Sequence, residues 1–143
     1  MAGETNLKTL FRSMRPTLIQ GEYVFCSIDT QETNHLAFNP IATFREAEGL
    51  SLIIEREMAD RASIPYESVF SMITLSVHSS LSAVGFLAAI SSKLAEHGIS
   101  VNPVSAYYHD HQFVPVSLAE EAMELLKKLS DGESDAEGTL RAR

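Results

Sequence analysis

Cysteine is nearly absent from this chain of 143 residues; Cys26 is the only one. A single thiol cannot form an internal disulfide, so no cross-linked secreted scaffold is encoded. Long apolar runs are missing too. The longest is Val84 to Ile90, interrupted at Gly85, far short of the roughly 20 residues that a membrane-spanning helix needs. The opening MAGETNLKTLFRSMRP has neither the basic start nor the apolar core of about 7–15 residues of a secretory signal. Basic residues are scarce: Lys+Arg is 11 against Asp+Glu 19, and 11 − 19 gives a net charge of −8. Phosphate backbones want a basic face, so nucleic acid is not an expected partner. No polybasic cluster offers itself to a lipid surface either. Glycine-rich phosphate loops and a nucleophile elbow are also lacking. The expectation from these absences is a cytoplasmic protein with no membrane segment and no cofactor.

What remains is an ordinary globular composition, 45% hydrophobic and 21% charged, which excludes wholesale disorder. Leu7, Leu10, Phe11 and Met14 recur at i, i+3, i+4 and i+7, one face of a short helix. Pro16 ends it by pushing the preceding residue out of helical geometry. EYVFCSI reads as a strand, with Val24, Cys26 and Ile28 on one side. Residues 29–40 read as a loop. IATFREAE and LSLIIE read as a hairpin about Gly49, and REMADRAS as a short helix. FSMITLSV reads as a strand with Ile73, Leu75 and Val77 facing one way, Met72, Thr74 and Ser76 the other. Residues 82–97 predict a helix with Ala83, Leu87, Ile90 and Leu94 on one stripe, capped by Ser80 or Ser82 and stopped by Gly98. ISVNPVSAYY and QFVPVS predict a second hairpin, with Pro103 and Pro115 at an edge or bulge. Ser117 and Glu120 have capping-box spacing, ahead of a helix that buries Leu118, Ala122, Leu125, Leu126 and Leu129.

The second half thus reads β-α-β-β-α, a βαββαβ unit short of its last strand. The strand Tyr23–Ile28 is a candidate for that place. A weak echo, LSLIIEREMADRA against QFVPVSLAEEAME, suggests two related units, each too small to stand alone.

At VHSSLSAVGFLAAISSKLAEHGISV the pattern resembles the opening of an ACT domain, and FSMITLSVHSSLSAVGFLAAI with AYYHDHQFVPV carries the resemblance. Residues 70–129 are similar to one ACT repeat. Residues 22–70 resemble a degenerate repeat without its first helix. The whole is similar to small bacterial tandem ACT-domain proteins, and the second repeat to those of eukaryotic cytosolic arginine sensors. The resemblance implies an α+β, ferredoxin-like (βαββαβ) fold: two fused ACT-like units with antiparallel sheets and helices packed on one face. Expected boundaries are residues 1–68 for the N-terminal unit with its leading helix, 69–130 for the C-terminal unit, and a disordered acidic tail over 131–143. The implied function is a non-catalytic regulatory module that binds a small molecule, often an amino acid, and assembles as a homodimer or higher homo-oligomer. The alternative is an interaction protein whose units pair without a ligand.

The candidate ligand site joins two segments. His78-Ser79-Ser80-Leu81-Ser82 runs into a helix start, whose free amides and dipole favour a carboxylate, although the same serines serve equally as caps. Gly85 leaves room for close approach. Tyr107-Tyr108-His109-Asp110-His111 lies at the second hairpin turn. There Asp110 can accept from an amino group while the serine loop holds the carboxylate, and together they match a zwitterion, with Tyr107 a further ligand-binding candidate; as a plain turn residue Asp110 needs no ligand. His78, His109 and His111 are the one set worth weighing as a metal site, but no Cys or Glu spacing supports them, and no metal is expected. Cys26 reads as a buried small hydrophobe, and no catalytic residue is assigned.

Overall fold

The computed structural model describes residues 7–31, 34–76 and 85–132. The expected tail from 133 onward and the loop 77–84 lie outside the described residues. The elements in chain order are α1 (Leu7–Ser13), β1 (Pro16–Leu18), β2 (Tyr23–Ile28), a 3-10 helix (His35–Phe38), β3 (Ala42–Arg45), β4 (Leu50–Glu55), α2 (Arg56–Ala62), β5 (Phe70–Leu75), α3 (Phe86–Glu96), β6 (Asn102–Ser105), β7 (Asp110–Pro115), a 3-10 turn (Val116–Leu118) and α4 (Ala119–Ser130). They gather into two compact units. One is Gln20–Ser71; the other joins the described residues up to Ile19 to those from Met72 on. Among the described residues no helix is long and apolar enough to cross a membrane.

In the unit Gln20–Ser71, β4 lies between β3 and β2. It pairs antiparallel with both, Cys26 opposite Leu52 and Thr43 opposite Leu52. The alternation of β2 and β4 sends Val24, Cys26, Leu52 and Ile54 to one side, where Ala59 and Met58 of α2 cover them. Burial raises the Cys26 thiol pKa, which leaves it an inert packing group. A 3-10 helix stands where a complete repeat has its first α-helix. The hairpin about Gly49 forms as its sequence predicts, closed by Glu46 N to Gly49 O at 2.9 Å. A Cβ on Gly49 would lie 2.6 Å from the Ile28 carbonyl oxygen; close approach to backbone is what requires glycine there.

In the other unit the strand order is β6-β7-β5-β1. The sequence offers β5's open edge to Tyr23–Ile28, but the three-residue β1 takes it: Pro16 pairs with Leu75, Thr17 with Thr74 and Leu18 with Ile73. Tyr23 alone of β2 reaches β5, opposite Phe70. A proline can start such an edge strand because its missing donor faces no partner. The leading helix, which precedes β1, belongs to this unit with it. Leu10 and Met14 are fully buried with Ile73, Leu75, Phe86, Ile90, Leu94, Val114, Ala122 and Leu126. Sequence order sets α1 beside the first half; packing sets it in the core of the second. Ser130 Oγ at the end of α4 donates to the Met14 carbonyl at 2.7 Å.

Two caps differ from expectation. The described part of the 82–97 helix is Phe86–Glu96, with Gly85 at its N-cap in a left-handed conformation (φ 90°) and no side-chain cap; residues 82–84 lie outside the described residues. Ser117 forms no capping box. The chain enters α4 through the 3-10 turn that contains Ser117, so Leu118 becomes the N-cap. Glu120 and Glu121 in the first turn and Lys127 and Lys128 in the last complement the helix dipole instead. The exit of α3 is as predicted: Gly98 has φ 74°, and Ile99 N returns to Leu94 O at 3.0 Å.

The Gly49 contact gives a direct test. Gly49→Ala is expected to lower stability by about 1–3 kcal/mol through forced displacement at the β2–β4 ladder, measured by chemical denaturation. An unchanged midpoint would show that the ladder yields without cost.

Candidate functional site

The second hairpin sets the geometry of the site. Ala106 N donates to His109 O at 3.0 Å, so the turn is Ala106–His109, with Tyr107 and Tyr108 at its centre. Their rings meet edge to face at 4.9 Å, and they are 70% and 64% exposed. Asp110 is therefore not a turn residue. It opens β7 opposite Ser105 and is only 5% exposed.

Period-two alternation then divides β7. Asp110, Gln112 and Val114 share one face, and Val114 packs into the helix-covered core. His111 and Phe113 point the other way. His111 Nδ1 lies 2.9 Å from Thr74 Oγ1. Thr74 is buried, and its hydroxyl pairs with the imidazole. Ser76 is exposed, and His78 lies outside the described residues. Burial, then the neighbouring His109, lowers the His111 pKa, and Asp110 opposes the shift.

Gln112 is the residue that sequence reasoning missed. It is fully buried, and neither Nε2 nor Oε1 has a hydrogen-bond partner among the described residues. Exchanging the two amide atoms changes nothing, since both are unpaired. His109 Nδ1 is likewise buried without a partner. A signal was present in the strand DHQFVP: a glutamine alternates with Asp110 and Val114, where an apolar residue belongs on a core face.

Of the candidate ligand residues, Tyr107 is exposed at the centre of the turn and Asp110 lies buried at its foot. Gly85 is demanded by its φ of 90° rather than by crowding, since a Cβ there would make ordinary contact with Leu7 Cδ1 at 3.6 Å. His78, Ser79, Ser80, Leu81 and Ser82 lie outside the described residues. Among the described residues no three His, Cys, Asp or Glu side chains are grouped to hold a metal ion.

Models of the ACT domain match residues 2–71 and 67–128. A Vibrio cholerae protein of unknown function, described as a possible transport protein, is 48% identical over 87% of this chain and 95% of its own, with a TM-score of 0.80. The chain belongs to the ACT-domain family. The two matched segments overlap at residues 67–71. An Agrobacterium tumefaciens protein superimposes with a TM-score of 0.68 at 16% identity, over 82% of this chain and 89% of its own. The regulatory subunit of aspartate kinase from Thermus thermophilus does so at 0.60 and 11% identity, over 82% of this chain and 96% of its own. These two likenesses show the tandem ACT fold. No curated protein matches the chain.

The lowered His111 pKa makes stability pH-dependent. The folded chain binds this proton less readily than the unfolded chain, whose value is 6.5. Stability from this residue is therefore present above 6.5 and lost as pH falls through it. Denaturation midpoints measured from about pH 7.5 to 5 should fall less steeply in His111→Gln than in wild type. Equal slopes would remove His111 from the account.

Proposed function

We propose that this tandem ACT-domain protein is a non-catalytic regulatory module that binds a free amino acid. The observation that carries the proposal is Asp110: an acidic side chain, 5% exposed, at the head of a core strand in the second repeat. A carboxylate in that setting suits an ammonium group, because a charge-assisted hydrogen bond strengthens as water is excluded. The ligand's carboxylate would be received by residues 78–82 and Gly85, with Tyr107 at the rim. The likeness of the second repeat to cytosolic arginine sensors supports an amino acid as the ligand class, and the fold shared with a regulatory subunit supports a regulatory role. The protein is proposed to act in the cytoplasm, without cofactor, through a regulated partner.

Assembly of copies belongs to the same proposal. Each unit ends on an edge strand, β3 in one and β6 in the other, and an unpaired edge is a template for pairing. Pairing without any ligand is the second reading. Light scattering separates the two: a dimer indifferent to every amino acid favours it.

Calorimetry and thermal shift against the twenty amino acids test the first. At least one is expected to bind below millimolar concentration, and Asp110→Ala to weaken it by tenfold or more, the loss of a hydrogen bond to a charge at about 1.5–3 kcal/mol. Unchanged affinity would clear Asp110 of the role.

A further inference from the structure

We infer that two copies of this chain join strand to strand along β3, with Phe44 of one copy opposite Phe44 of the other. The inference rests on the assembly reading above and names its surface. β3 ends the sheet order on one side. It is also exposed on both faces: Thr43 and Arg45 on one, Phe44 on the other at 72%. The helix that would flank it is reduced to the 3-10 helix His35–Phe38, and α2 packs against β2 and β4. On the face that Phe44 shares, Ile53 and Phe25 carry the apolar surface inward from the edge.

The hydrogen-bond register says which backbone groups this edge offers. Glu46 N donates to Gly49 O at 2.9 Å, and Gly49 N donates back at 3.3 Å. By alternation Phe44 also bonds inward to β4, and Thr43 and Arg45 turn their N–H and C=O outward. The other edge differs. Ala106 N donates to His109 O directly opposite, so the outward positions of β6 are Pro103 and Ser105, and Pro103 has no donor to offer. β3 carries no proline.

Outward bonding groups on either side of one large exposed ring make the β3 edge self-complementary. About a two-fold axis at Phe44, Thr43 of each copy exchanges hydrogen bonds with Arg45 of the other. The two Phe44 side chains form a non-hydrogen-bonded pair, the closest kind, with Cα atoms about 4.5 Å apart. No like charges are opposed: Arg45 faces Thr43, and Glu46 faces Ala42. That condition matters between copies of net charge −8, which repel wherever acids meet. A basic partner would instead seek acidic surface, which the uncharged centre of β3 does not offer. The four-residue edge is about 13 Å long. The contact therefore falls near the lower end of specific interfaces, roughly 1,200 Å² in total, and the dimer depends on concentration.

Sedimentation and light scattering across a concentration series test the inference. Wild type is expected to pass from monomer to dimer as concentration rises. Thr43→Pro removes an outward donor and spares the ladder to β4. Phe44→Lys sets two cations face to face at an exposed position. Each is expected to raise the dimer Kd about tenfold or more, and Ser105→Pro, the matched change on β6, to leave it unchanged. Phe44→Cys gives a second readout. Under oxidation it is expected to yield a cross-linked dimer, since a Cα separation of about 4.5 Å suits a disulfide. Thr43→Cys, two positions out of register with itself, is expected not to, and the buried Cys26 does not compete. Three results overturn the inference and leave assembly standing: a dimer untouched by both β3 variants, a dimer lost in Ser105→Pro, or cross-linking at 43 rather than 44. A wild type that stays monomeric at every concentration fells the assembly reading and the inference together.

Discussion

The pairing of Pro16–Leu18 with Ile73–Leu75 is the contact on which the second ACT unit depends. It gives β5 a neighbour on each side and closes the βαββαβ pattern with a strand from the start of the chain. The chain around it is held at several points: Ile19 N to Met72 O at 2.9 Å, Ser76 N to Arg15 O at 3.3 Å and Ser130 Oγ to Met14 O at 2.7 Å. These bonds carry α1 with them, so Leu10 and Met14 become core residues of a unit whose other members begin at Met72. Burying two such side chains contributes about 1.5–3 kcal/mol each, and the core stays incomplete until the two stretches meet. Contacts of that sequence separation make for slow and strongly coupled folding.

The register of β5 also decides the chemistry. Ile73 and Leu75 face the helices, so Thr74 must face away, where it meets His111 across to β7. With His111 fixed on that side, Asp110, Gln112 and Val114 are placed on the helix side by alternation alone. A slip of one residue would carry the whole set to the other face. The buried polar pair is thus a consequence of the same register that builds the apolar core.

Local signals were legible in the sequence. The Leu7–Met14 face, the hairpin at Gly49, the stop at Gly98 and the stripe of α4 each follow from neighbours within a few positions. Asp110 was legible as chemistry but not as placement, because turn propensity suggested the turn itself while the ladder from Ser105 captured it as a strand residue. Ser117 has capping-box spacing, yet the 3-10 turn moved the helix start past it. The role of Pro16–Leu18 was hidden, since three residues carry no period and the partner lies across the chain. The Thr74–His111 bond was hidden for the same reason, spanning 37 positions. Gln112 was visible as a letter and not as an anomaly, because only its burial makes an unpaired amide costly.

That cost falls on the core of the second unit. A buried amide without a partner destabilises a core by about 1–3 kcal/mol, a large part of the marginal stability of a small domain. Val114 beside it shows that the same face accepts an apolar side chain. Among the described residues both polar atoms of Gln112 stay unmet, two positions along the strand from the buried Asp110. Gln112 therefore draws on the stability that the apolar members of the same core supply, and the register that buries Val114 beside it holds the amide there.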